Sequence, residues 1–162
     1  MTGRVHDAQP QLAEFEFLKR APELDGPKFV FAHIMKPHGP NSFDRFGNIS
    51  LDPVKGFGPD HDPSVSDPYY GQLLYINTLV LETVDSILAR SKTPPVIVIS
   101  ADHGRRRQPG DAIHSVFAAY HLPGGGNEKL YPSISSVNSF RVVLDYYFQL
   151  GLGLLEDKQF AY

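Results

Sequence analysis

The sequence has no cysteine among its 162 residues. Disulfides, thiolate zinc sites and cysteine nucleophiles are therefore excluded. Long apolar runs are absent as well. None approaches the roughly 18 residues that a membrane-spanning helix needs, and residues 1–7 (Met-Thr-Gly-Arg-Val-His-Asp) hold no signal-peptide core. As it stands, the chain is expected to be soluble and untargeted, with its compartment left open. A basic excess is also missing: 15 Lys and Arg against 18 Asp and Glu give a net charge of -3. That balance offers no electrostatic footprint for nucleic acid. No internal repeat and no second domain boundary stand out. The glycine run Pro123-Gly124-Gly125-Gly126 is not followed by Gly-Lys-Ser or Gly-Lys-Thr, so it reads as a flexible turn rather than a phosphate loop.

What remains is the composition of one globular domain, 41% hydrophobic, with 14 Gly and 14 Pro to build loops. One stretch organises it: Val96-Ile97-Val98-Ile99-Ser100-Ala101-Asp102-His103-Gly104. Val96 to Ser100 suits a strand buried on both faces, as in a parallel sheet. Asp102 and His103 then fall just past the C-terminal end of that strand, the edge where open α/β sheets bind ligands. Adjacent Asp and His can reach one divalent ion where the backbone turns sharply, and Gly104 permits the turn. The plainer reading is an Asp-His-Gly turn after a strand.

Before this stretch, Gln11 to Arg20 predicts a short helix, with Leu12, Phe15 and Leu18 three apart and Pro22, Gly26 and Pro27 ending it. Lys28 to Met35 is a second apolar run of strand length, followed by Lys36-Pro37-His38-Gly39-Pro40. His33 lies inside the run, where a hydrogen-bonded core histidine is the plain reading. His38 lies beyond its end, between prolines that hold an extended loop, and is the better functional candidate. Asn41 to Pro68 carries turn signals throughout and reads as a long irregular loop. His61, between Asp60 and Asp62, is read as solvated surface.

Pro68 to Ser91 is the clearest helix. Ser66 or Asp67 caps it, Pro68 suits its first turn, and Leu73, Ile76, Val80, Val84, Ile87 and Leu88 form its inward stripe. Leu74, Leu79 and Leu81 widen that stripe, while Glu82 and Asp85 face water. Two strands flanking this helix predict a right-handed crossover and parallel pairing. After Gly104, Arg105, Arg106 and Arg107 offer guanidinium forks that match phosphate or sulfate oxygens, or else form a solvated basic loop. His114 opens a third apolar run, Val116 to Leu122, on the adjacent strand. Ser135 to Gln149 predicts a second amphipathic helix with Val137, Phe140, Val143, Leu144, Tyr147 and Phe148 inward. Ser135 or Ser136 caps it, and the tail Leu154 to Asp157 packs back on the surface.

Three segments together resemble the alkaline phosphatase/sulfatase superfamily. They are Pro27 to Pro40, Ser100 to Gly104, and Tyr120 to Gly126. The likeness is narrower to the sulfatase-like hydrolases and transferases that include lipoteichoic acid synthases and phosphoethanolamine transferases. The resemblance spans residues 27–157, with an N-terminal segment and short helix before it and a tail over 158–162. It implies an α/β fold, a mostly parallel sheet flanked by helices, here as an incomplete domain. It implies Asp102 and His103 as metal ligands, His38 as a contact to the substrate's phosphate or sulfate, and His33, His114 and Arg105 as further substrate-side residues. The implied cofactor is a divalent ion, Zn or Mn, since a His ligand favours these over Ca or Mg.

Family members attack the ester with a metal-activated Thr, Ser or formylglycine. No segment here resembles the one that carries that nucleophile. The resemblance therefore implies the C-terminal half of a catalytic domain, inactive alone, whose missing half would come from a preceding, membrane-anchored region or a partner. Formylglycine sulfatases usually have Asp-Asn where this chain has Asp102-His103, which favours phosphoryl or phosphoglycerol chemistry over sulfate. Two rival expectations stand beside this one. One is a non-catalytic domain binding a metal ion or an anion. The other is a truncated gene product that exposes an unpaired sheet edge and an apolar face.

Overall fold

The structure is a computed structural model and describes residues 8–49, 68–104 and 116–158. It is mixed α/β, with helices α1 (Ala8–Arg20), α2 (Pro68–Arg90) and α3 (Ser136–Phe148) and strands β1 (Ile97–Ser100) and β2 (Ala118–His121). Short 3-10 turns follow α1 over Ala21–Glu23 and precede α3 over Gly126–Lys129. The chain divides into two compact units, Met1–Lys92 and Thr93–Tyr162.

In the first unit α1 packs on α2. Ala8, Phe15, Phe43, Ile76 and Leu79 form the core, with Leu12, Ile34, Ile49, Tyr75 and Val80 against it. The helix expected from Gln11 already starts at Ala8 and stops where predicted. Phe43 is fully buried, its ring centroid 5.2 Å from that of Tyr75. A tight turn holds it there. Asp44 Oδ1 accepts the N–H groups of Phe46 and Asn48 at 2.8 and 2.9 Å, and Phe43 bridges Ile49 in antiparallel fashion. The Lys19 ammonium meets Glu16 on its own helix at 2.9 Å and, across the helices, Glu82 at 3.1 Å. Those carboxylates, Glu16 first, raise the Lys19 pKa. Exposed pairs of this kind contribute about 0–1 kcal/mol, so the buried aromatic and aliphatic groups set the packing.

The inward face of α2 is narrower than its sequence suggests. Gly71, Gln72, Ile76, Leu79 and Thr83 are buried, whereas Leu74, Leu81 and Leu88, seven apart, face outward. Its expected caps, Ser66 and Asp67, lie outside the described residues, as do His61 and its acidic neighbours.

The predicted parallel sheet does not appear among the described residues. Lys28 to Met35 forms no strand, so no strand–helix–strand crossover arises. Phe29 and Phe31 are 88% and 79% exposed, and His33 is exposed rather than a core histidine. An apolar run becomes a strand only where a neighbouring ladder satisfies its backbone. β1 is instead paired antiparallel with β2, Ile97 opposite His121 and Ser100 opposite Ala118. The third apolar run thus does supply the strand beside β1.

In the second unit Leu122, Val142 and Val143 are buried, and the Tyr120 hydroxyl lies 2.7 Å from Ser139 Oγ, joining β2 to α3. Ser135 caps α3 as expected, its Oγ accepting the Asn138 N–H. The inward face differs from the predicted one: Asn138, Ser139, Val142 and Val143 are buried, while Val137, Phe140 and Phe148 are exposed. The turn expected to be flexible is firmly held. The Tyr147 hydroxyl donates to Pro123 O at 2.6 Å and the Tyr146 hydroxyl donates to Gly124 O. Gly126 is required there, because a Cβ would stand 2.4 Å from the Tyr147 hydroxyl and 2.9 Å from Leu122 Cβ.

The tail returns along α3, as its sequence predicts. Asn138 Oδ1 accepts the Leu155 N–H and Asn138 Nδ2 donates to Leu155 O. Asp145 accepts the N–H groups of Leu152 and Gly153, and Arg141 donates to the carbonyls of the same two residues. At its end Asp157 accepts hydrogen bonds from the Tyr131 hydroxyl at 2.6 Å and from Ser135 N–H and Asn138 Nδ2 at 2.8 Å. Hydrogen bonding, from Ser135 first and Tyr131 next, holds the Asp157 carboxyl well below the usual carboxylate range.

Two outcomes follow for stability. Phe43→Ala should destabilise the first unit by about 3–5 kcal/mol, and Gly126→Ala the second by about 1–3 kcal/mol, both read by chemical denaturation. Near-native midpoints in either variant would contradict the packing described. For Asp157 the folded pKa lies below the unfolded value of about 3.9. Its contribution is thus present above about pH 4 and is lost as pH falls through the depressed folded value. The amide shift of Ser135, whose N–H donates to Asp157, should hold constant down to about pH 4 and move only below it. Movement between about pH 5 and 7 would contradict the assignment.

Candidate functional site

β1 delivers Asp102 and His103 to the expected place, two and three residues past Ser100. Ala101 N–H donates to Phe117 O at 2.9 Å, which continues the ladder one step and fixes where the turn begins. Within the turn Asp102 Oδ1 accepts the His103 backbone N–H at 3.0 Å. His103 Nδ1 lies 2.9 Å from Gly104 O. A carbonyl only accepts, so Nδ1 carries the proton, and in the neutral ring Nε2 keeps its lone pair. That nitrogen is 3.7 Å from Asp102 Oδ2, and the two side chains are 60% and 79% exposed.

This donor pair fits a divalent ion. Two ligands on a tetrahedral zinc ion with bonds near 2.1 Å stand about 3.4 Å apart. The bond to Gly104 O also fits, because a metal-binding histidine commonly gives its other ring N–H to a backbone carbonyl. As a plain ion pair, the same two side chains would contribute about 0–1 kcal/mol at this exposure. Among the described residues no group of three or more His, Asp or Glu is assembled.

In the first unit, His38 sits in a turn rather than in the extended loop predicted, its N–H donating to Met35 O at 3.0 Å. Its side chain is exposed, with Nδ1 2.7 Å from Gly39 O. By the same reasoning Nε2 is an acceptor in the neutral ring. Such a nitrogen meets an ester in one of two forms. As imidazolium it donates to an anionic oxygen. As neutral imidazole it accepts from a protonated one.

His33 is exposed on the irregular stretch before this turn. Arg105 and His114 lie outside the described residues, with Arg106 and Arg107. Sequence reasoning missed Lys36 and Gln72, both buried beside His38. Gln72 gave no signal among the apolar residues of α2. Lys36 read as part of a loop. Comparisons with protein-family models, with curated proteins and with solved structures find no match.

Proposed function

We propose that this chain carries the metal-ligand and anion-contacting part of a metal-dependent hydrolase or transferase of phosphate or sulfate esters. Asp102 and His103 are its metal ligands and His38 its contact to the ester. The observation that carries this reading is the Asp102–His103 turn. Two donor atoms stand 3.7 Å apart at the end of a strand, and the imidazole is held in the tautomer that a metal needs. The resemblance of three segments to sulfatase-like enzymes points the same way. So do the outward apolar residues Phe29, Phe31, Leu81 and Phe148, which suit a piece of a larger catalytic domain better than a finished surface.

A bound divalent ion would stabilise negative charge developing on the ester oxygens and lower the pKa of the attacking hydroxyl. The chain's own residues orient that chemistry. Gly104 O holds His103 in its metal-binding tautomer. Asp102 Oδ1 accepts the His103 backbone N–H, and its other oxygen would be left to hold the ion. His38 contacts the ester and takes or returns a proton at Nε2. The nucleophile comes from a segment other than these. Arg105 and His114 are further substrate-side residues, and an Asp-His pair rather than Asp-Asn favours phosphoryl over sulfuryl transfer.

Titration calorimetry with Zn²⁺ and the 162-residue chain tests the site. Binding should weaken at least about tenfold in Asp102→Ala and in His103→Ala. Equal affinity in both variants and the parent chain would overturn the ligand assignment. With Mn²⁺ or Zn²⁺ added, the chain alone should not hydrolyse an aryl phosphate. Metal-dependent turnover would place the nucleophile within it and contradict the division of labour proposed.

A further inference from the structure

Two polar side chains of the first unit are buried yet take no part in the chemistry above. Gln72, on α2, is 0% exposed and Lys36 is 8% exposed. Burying an amide or an ammonium costs free energy unless hydrogen bonds replace water. Among the described residues, the bonds of both side chains converge on one turn. Gln72 Oε1 accepts the Ser42 N–H at 2.8 Å, and its Nε2 donates to Pro37 O at 2.9 Å and His38 O at 3.4 Å. Lys36 Nζ donates to Pro40 O at 2.8 Å, Ser42 Oγ at 3.1 Å and His38 O at 3.5 Å. Together they grip the backbone of residues 37–42, and both reach the carbonyl of His38. A Leu or Met at either position would fill the space without the desolvation cost. At Gln72 the polar choice therefore points to the turn rather than to the core.

We propose that Gln72 and Lys36 are positioning residues that fix the 37–42 turn so that His38 presents Nε2 to the substrate as a proton acceptor. The proposal rests on the reading of His38 as the ester contact. Its geometric step is short. With the backbone gripped on both sides of His38, the ring stays within reach of Gly39 O, 2.7 Å from Nδ1. That bond keeps the proton on Nδ1 and the lone pair on Nε2. In a loose turn the bond is lost, and the imidazole relaxes toward the Nε2–H form that unconstrained histidine favours in water. Nε2 then becomes a donor and can no longer take a proton from a hydroxyl or from a monoprotonated phosphate.

Long-range ¹H–¹⁵N spectra of the 162-residue chain read which ring nitrogen carries the proton. They are recorded at about pH 8.5, two units above the ordinary histidine pKa. In the parent chain His38 should be mainly Nδ1–H. In Gln72→Met and Lys36→Met it should become mainly Nε2–H, while the methyl signals of Ile76 and Leu79 report an intact α1–α2 core. Gln72→Glu keeps the acceptor for Ser42 N–H but loses both donations, and should fall between. Should Gln72→Met lose the core, Lys36→Met and Gln72→Glu carry the test. An unchanged Nδ1–H majority in the folded variants would overturn the proposal. A different failure is told apart by adding inorganic phosphate to the parent chain. A locked tautomer whose ring signals ignore phosphate would overturn the substrate role of His38, and with it the purpose assigned to Gln72 and Lys36.

Discussion

A hydrogen bond from an imidazole Nδ1 to the carbonyl of the next residue decides what this chain can offer a ligand. Among the described residues it occurs twice, at His103 with Gly104 and at His38 with Gly39. In both cases the acceptor belongs to a glycine, and the other ring nitrogen is Nε2. At His103 this produces a nitrogen donor beside a carboxylate oxygen. At His38 it produces a proton acceptor on a turn gripped by Gln72 and Lys36. The chemistry proposed for each histidine differs, but the local device that prepares it is the same.

The rest of each unit serves to hold such a turn. In the first, the core around Phe15, Phe43, Ile76 and Leu79 fixes α2, and α2 carries Gln72. In the second, the β1–β2 ladder fixes the start of the Asp102 turn. Asn138, Arg141 and Asp145 bind the returning tail by its backbone. Outside these regions the molecule leaves large apolar side chains uncovered, among them Phe29, Phe31, Leu81 and Phe148.

Helices were the most legible part of the sequence. α2 begins at Pro68 as expected, and Ser135 caps α3. Their periodicity was visible because it is local. Which face turns inward was less visible, since that depends on the partner: Asn138 and Ser139 are buried in α3 while Phe140 is exposed. The parallel sheet was inferred from three apolar runs, and strand pairing is a non-local property that composition does not carry. Two of those runs do pair, antiparallel, and Lys28 to Met35 forms no strand. Asp102 and His103 are readable as a pair because an Asp-His-Gly turn after a strand is a local pattern. Gln72 is not readable in this way, because it lies 30 residues from Ser42 and only the fold brings them together.

The most direct test of the central claim is paramagnetic mapping with Mn²⁺ on the ¹⁵N-labelled chain. At sub-stoichiometric Mn²⁺ the amide signals of Asp102, His103 and Gly104 should broaden first, and that selective broadening should vanish in Asp102→Ala. Uniform broadening, or broadening centred on other residues, would contradict the assignment of a metal site to this turn.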